Sequence, residues 1–132
     1  MSLKVRGLDH LVLRVRDMAA MERFYCEVLG LTVDRRQDRI GLVQLRAGAQ
    51  LVDLVDVGGL LGQQGGAPAG VEGRNLDHFC LNLDDFDLAV VEAHLKAHGV
   101  TPGESGIRYG AGGMGVSIYL TDPEGNGLEL RG

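Results

Sequence analysis

The chain writes nearly the same six residues twice, LDHLVL at positions 8–13 and LDHFCL at 76–81. A near-copy half a chain away constrains the fold before any other feature, because it marks one structural unit built twice. Aligning His10 with His78 extends the match. Asp17 and Asp85 each follow their histidine by seven residues, and each opens a helical pattern that closes at a glycine, Gly30 or Gly99. In DMAAMERFYCEVLG the residues Met18, Met21, Tyr25, Val28 and Leu29 fall near helical spacing, and in DFDLAVVEAHLKAHG so do Leu88, Val91 and Leu95. An aspartate at the N-cap and a glycine just past the end are the usual punctuation of a helix.

Each repeated hexapeptide reads as a strand of period 2. In LDHLVLRV, Asp9, Leu11, Leu13 and Val15 share one face, and Leu8, His10, Val12 and Arg14 the other. In LDHFCLNL the corresponding sets are Asp77, Phe79, Leu81 and Leu83 against Leu76, His78, Cys80 and Asn82. A helix packs on the Leu/Val/Phe face, so both histidines point to the opposite one. Further strand-like runs follow each helix: LTVDRR, RIGLVQLRA and AQLVDLVDV in the first half, then a weaker GVTPGES, MGVSIYLTD and NGLELRG in the second. The reading is therefore an α+β chain of two βαβββ units, module 1 at about 7–57 and module 2 at about 74–132, making one domain over 1–132. Between them residues 58–73 hold seven glycines and little periodicity, which fits a linker or a lid. A second glycine cluster, GIRYGAGGMG, reads as a loop over a site.

Several function classes are excluded by composition. A formal charge of −5 leaves no basic stripe for nucleic acid, and no apolar run approaches the ~20 residues of a membrane span. The start, MSLKVRGLDH, has no signal-peptide pattern, and Cys26 and Cys80 match neither a metal finger nor a disulfide framework. The expected location is the cytoplasm. The 21 glycines in 132 residues predict several tight turns.

Two histidines at equivalent places in two repeats are candidates for one metal site, provided that carboxylates stand on nearby strands. Glu129 interrupts the apolar pattern of NGLEL, and Asp53 that of AQLVDL. An acid in such a strand needs a partner to justify burial. Two imidazoles with one or two carboxylates suit a divalent metal with open positions for substrate oxygens. Two other features carry less. His94 and His98 stand i, i+4 in HLKAH, but Leu95 replaces the glutamate of a zinc-protease motif and belongs to the apolar stripe. Cys80 shares a face with His78 and reads as a small apolar filler.

On LDHLVLRVRDM…FYCEVLGL, LDHFCLNLDD and SIYLTDPEGNGLEL, spread over essentially the whole chain, the sequence resembles the vicinal-oxygen-chelate superfamily of glyoxalase I, fosfomycin- and bleomycin-resistance proteins and extradiol dioxygenases. The resemblance implies paired βαβββ modules forming a curved mixed sheet, half a barrel each, around a central cavity. It implies a homodimer, and one divalent metal ion (Ni, Zn, Co, Mn or Fe) on His10, His78 and Glu129. Asp53 falls where glyoxalase I has a fourth ligand, normally the longer glutamate.

The resemblance also bears on the reaction. Arg14 matches an arginine that helps hold the glutathione carboxylate in glyoxalase I, although the stretch after Asp53 lacks that enzyme's asparagine and tryptophan. Tyr119 precedes Glu129 by ten residues, a spacing shared with extradiol and fosfomycin enzymes, where a tyrosine hydroxyl meets the bound substrate oxygens. Gly110 stands where extradiol enzymes keep a supporting histidine, and the C-terminal phosphonate-binding arginine of fosfomycin enzymes is missing. The expectation is a metal-dependent enzyme holding a small substrate through vicinal oxygens, first a lyase or isomerase of glyoxalase I type with Glu129 as base. Arg14, Arg108 and Tyr119 would orient the substrate, Tyr119 also touching its reacting oxygens. An Fe(II) extradiol dioxygenase and a non-catalytic binding or resistance protein are the alternatives.

Overall fold

In the computed structural model, which describes residues 1–132, the repeat is realised as two units, Met1–Pro68 and Ala69–Gly132. The division falls inside the glycine-rich stretch 58–73.

The first unit runs β1 (His10–Val15), α1 (Met18–Arg23), β2 (Thr32–Gln37), β3 (Leu42–Ala47) and β4 (Gln50–Asp56). Its sheet order is β1-β4-β3-β2. β1 lies parallel to β4 while the other neighbours are antiparallel, because a parallel pair needs a crossover and the helix with its two following strands supplies it. The alternation in β1 sends Leu13 and Val15, both fully buried, to the same face as Val43, Leu45, Val52 and Leu54. Met21, Phe24 and Tyr25 close over the first unit's core. Asp17 caps α1 as expected, its Oδ1 accepting from the Ala20 amide at 3.0 Å. The helical pattern does not stay α to Gly30, however. Residues Phe24–Val28 form one π turn, and the extra residue per turn lets the adjacent Phe24 and Tyr25 both bury, their rings edge to face at 5.2 Å.

The second unit repeats the plan with β5 (His78–Asn82), α2 (Leu88–Ala97), β6 (Ser105–Gly110), β7 (Gly113–Thr121) and β8 (Gly127–Arg131), in the order β5-β8-β7-β6 with β5 parallel to β8. Phe79, Leu95, Ile118, Leu120, Leu128 and Leu130 form its core. Asp122 is the hub of the turn before β8. Its Oδ1 accepts from the amides of Glu124 and Asn126 at 2.9 and 3.0 Å, and its Oδ2 from the Asn126 side chain at 2.8 Å. Gly125 supplies the positive φ of +84° that the turn requires.

Three local expectations are corrected. The N-cap of α2 is Asp87, whose Oδ1 accepts from Val90 N at 3.2 Å; Asp85 instead takes a left-handed backbone at φ 52° ahead of it. GVTPGES is not a strand before Ser105, since Pro102 lacks the amide a ladder needs. GIRYGAGGMG is not a loop but a hairpin, β6 turning into β7, in which Ile107 pairs with Val116 and Tyr109 with Met114. The stretch 58–73 also carries structure: a single 3-10 turn spans Gly62–Gly65, and Gly70 bridges Gly73.

Leu95 is fully buried and both flanking histidine positions of HLKAH are exposed. Leu95→Ala should therefore lower unfolding stability by about 2–5 kcal/mol, read from a chemical denaturation midpoint, whereas His94→Ala should stay within about 0.5 kcal/mol. Equal effects would contradict the placement of α2.

Candidate metal site

The strand registers decide which side chains meet. Neighbouring strands in register present the paired residues on the same face of the sheet. In the first unit Val12 pairs with Asp53, so His10, two residues earlier in β1, lies diagonally across from that acid. In the second, Cys80 pairs with Glu129, and His78 takes the same diagonal. The third strand repeats the pattern, Gln44 opposite Asp53 and Tyr119 opposite Glu129. Each unit thus carries an imidazole, a carboxylate and a longer polar side chain in the same three places.

Both acids are buried, Asp53 at 3% and Glu129 at 6% exposure. Glu129 Oε1 lies 3.3 Å from Nε2 of His78. Asp53 Oδ2 accepts from the Gln44 amide at 3.2 Å, while Oδ1 is buried with no partner. An unsatisfied buried carboxylate oxygen is costly, and a cation resolves that cost directly. At the other end of each imidazole, Nδ1 meets the preceding aspartate, 2.8 Å for His10–Asp9 and 2.6 Å for His78–Asp77. A carboxylate on Nδ1 fixes the tautomer and leaves Nε2 as the donor for a metal. The donor set, imidazole Nε2 with carboxylate oxygen in each unit, fits a divalent ion. Nowhere in the chain does a group of three or more His, Cys, Asp or Glu side chains come together that could hold a metal ion.

Electrostatics follow the same contacts. The Asp9 hydrogen bond, then the Asp53 charge, raises His10 above its ordinary 6.5. His78 is raised chiefly by the Asp77 hydrogen bond, with smaller contributions from the Asp77 and Glu129 charges, against a lowering by desolvation. Cys80 keeps part of its surface exposed, yet desolvation of its sulfur and then the Glu129 carboxylate push the thiol up to about 11. It is no thiolate nucleophile at neutral pH.

The other expected site residues divide. Tyr119 stands edge-on to His78 with ring centroids 5.6 Å apart, and the Arg108 guanidinium sits 5.8 Å over the Tyr119 ring while pairing with Glu104 at 3.1 Å. These two belong with His78 and Glu129. Arg14 shares the β1 face with His10, but its guanidinium donates to the carbonyls of Gly62, Gly66 and Ala67 at 2.8–2.9 Å. It pins the glycine-rich stretch to its own unit. The sequence reading missed Asp9, Asp77 and Gln44. The twofold writing of Asp before His was the signal for the first two, and the glutamine breaking the apolar run of GLVQLRA was the signal for the third.

Asp77→Asn removes the charge at the largest raising contact of His78, so its titration midpoint in metal-free protein should fall toward 6.5. Because a metal takes the neutral imidazole, apparent metal affinity should decline as pH drops through the raised midpoint of the unmodified protein. Histidine NMR titration reads the first and a competitive chelator the second; an unmoved midpoint would remove Asp77 from the site.

The family model of the Glyoxalase/Bleomycin resistance protein/Dioxygenase superfamily matches residues 7–130. Glyoxalase domain-containing protein RDO1 of Mycosarcoma maydis is 34% identical over 129 residues, covering 97% of this chain and 69% of that protein. Virulence protein STM3117 of Salmonella typhimurium is 34% identical over 125 residues, 93% of this chain and 81% of that one. Its crystal structure aligns with a TM-score of 0.81 at 28% identity over 98% of each chain. Catechol-2,3-dioxygenase of Bacillus subtilis is 31% identical over 121 residues, which are 89% of this chain but 38% of that protein, so this chain spans well under half of it. No helix of the chain is long and apolar enough to cross a membrane. The doubled βαβββ plan and the match along 7–130 together show that the chain belongs to the Glyoxalase/Bleomycin resistance protein/Dioxygenase superfamily.

Proposed function

We propose that this chain is a divalent-metal-dependent lyase or isomerase of the glyoxalase I type, acting on a small substrate held through two neighbouring oxygens. The observation that carries the reading is the repeated diagonal, His10 to Asp53 and His78 to Glu129, with a buried Asp53 oxygen left unpartnered. His10, His78, Glu129 and Asp53 would hold the metal. Nickel, zinc, cobalt, manganese and iron all accept that set. When bound, the metal supplies a Lewis acid that polarises the substrate oxygens.

The chain's own groups supply the rest. Glu129 would take a proton from one substrate carbon and return it to the adjacent one, a reading supported by its burial and its contact with His78. Tyr119 offers a hydroxyl donor, and Arg108 a positive charge behind that ring. A homodimer, implied by resemblance, is proposed as the working assembly; sedimentation should give twice the chain's 14.1 kDa.

The second reading is an extradiol dioxygenase on the same ligands, favoured by the edge-on placement of Tyr119 beside His78 and by the resemblance to the Bacillus subtilis catechol-2,3-dioxygenase. The two separate cleanly. With metal restored, the lyase reading expects turnover of the hemithioacetal of methylglyoxal and glutathione without oxygen uptake, and Glu129→Gln should lower kcat by about 10²–10⁴. Asp53→Asn should weaken metal binding by at least the roughly 10–100-fold that loss of a partner behind a ligand costs. Oxygen consumption with a catechol on the iron form, and inert hemithioacetal, would move the assignment to the dioxygenase.

A further inference from the structure

Two residues beyond Glu129 on the same face of β8 stands Arg131, only 6% exposed. Its partners are backbone carbonyls rather than a carboxylate: Gly113 O at 2.8 Å and Arg108 O at 3.5 Å. A guanidinium has five N–H donors and does not shed its proton in a protein. A buried, permanently charged group without an opposite charge is unfavourable unless an anion joins it. Glu129, its near neighbour on the strand, is already paired with His78.

The surroundings are shaped to keep this cation in place. A Cβ on Gly110 would overlap Nη1 of Arg131, and one on Gly115 would lie 2.6 Å from Nη2. The β6–β7 hairpin carries glycine where the guanidinium runs. Directly opposite Arg131 in register is Ser117, fully buried, with an Oγ that has no hydrogen-bond partner. The fold alone does not call for these groups: the equivalent of Arg131 in the first unit is Val55, paired with Arg14 as Arg131 is with Asn82.

We propose that Arg131, with the Ser117 hydroxyl, forms an anion-binding subsite that takes a carboxylate or phospho-oxyanion of the substrate. The fork of Arg131 suits two oxygens of either group, and Ser117 donates to one of them. Alternate residues of a strand lie ~6–7 Å apart, so the anionic group sits a few bonds from the oxygens bound near Glu129. The substrate class is accordingly a small acid carrying vicinal oxygens at one end and its charge at the other. This extension rests on the proposed function for the vicinal oxygens alone; the anion subsite itself is readable without metal.

The test uses the whole 132-residue chain stripped of metal, titrated with methylphosphonate and separately with acetate by isothermal calorimetry, together with Arg131→Gln, Arg131→Lys and Ser117→Ala. Saturable binding of at least one probe is expected, weakened about tenfold or more in Arg131→Gln and severalfold in Arg131→Lys and Ser117→Ala. Which probe binds tells the phospho-oxyanion from the carboxylate. Zinc uptake, measured in parallel, should persist in all three variants. Absence of saturable binding, or affinity equal to wild type in the arginine variants, overturns the subsite. Should Arg131→Gln not fold, Arg131→Lys and Ser117→Ala decide it. Anion binding retained in a protein that takes up no metal would sink the metalloenzyme reading and leave the subsite standing.

Discussion

The parallel pairing of the first and last strand of each unit is the constraint on which the site depends. A one-residue slip of β1 against β4 would put Asp53 on the face of Leu13 and Val15, burying a carboxylate in a hydrocarbon core. The same holds for Glu129 and β5. Core and candidate site are therefore read off one register: the apolar alternation locks the strands, and the polar residues between fall on the diagonal. Buried acids on a strand are normally a defect. Here they recur at equivalent positions of two modules, each across from an imidazole whose far nitrogen is held by aspartate.

Much of this was legible in the sequence, for physical reasons. The period-2 faces of LDHLVLRV and LDHFCLNL correctly separated Leu13, Val15 and Phe79 from His10 and His78, because side-chain alternation in a strand is steric and local. The Asp-Pro-x-Gly signal before β8 was legible for the same reason: Asp122 gathers three hydrogen bonds inside a five-residue turn. What failed was whatever tertiary pairing decides. GIRYGAGGMG looked like a loop because glycine has low strand propensity, yet two of its glycines, Gly110 and Gly115, sit where Arg131 needs space, while Ile107, Tyr109, Met114 and Val116 keep strand alternation on the other face. The π turn at Phe24–Val28 depends on packing two adjacent aromatics and leaves no mark in a helical pattern. The hydrogen bonds of Arg14 to carbonyls more than forty residues away in the chain were equally invisible in the sequence, where resemblance matched it to a substrate contact.

The two modules are alike in plan and unlike in chemistry. The first offers Gln44 beside Asp53; the second offers Tyr119, Arg108, Ser117 and Arg131 around Glu129. Duplication explains why the acid–imidazole diagonal occurs twice, and divergence concentrates the further polar side chains around Glu129 in the second unit.

The central proposal is that His10, His78, Glu129 and Asp53 are ligands of a divalent metal. The direct measurement is bound metal by mass spectrometry on protein purified without a histidine tag, beside His10→Ala and His78→Ala. The account predicts a stoichiometric divalent metal in the parent protein and its loss from both variants. Full metal retained in His10→Ala, or a parent protein that stays metal-free when divalent cations are supplied, would contradict it.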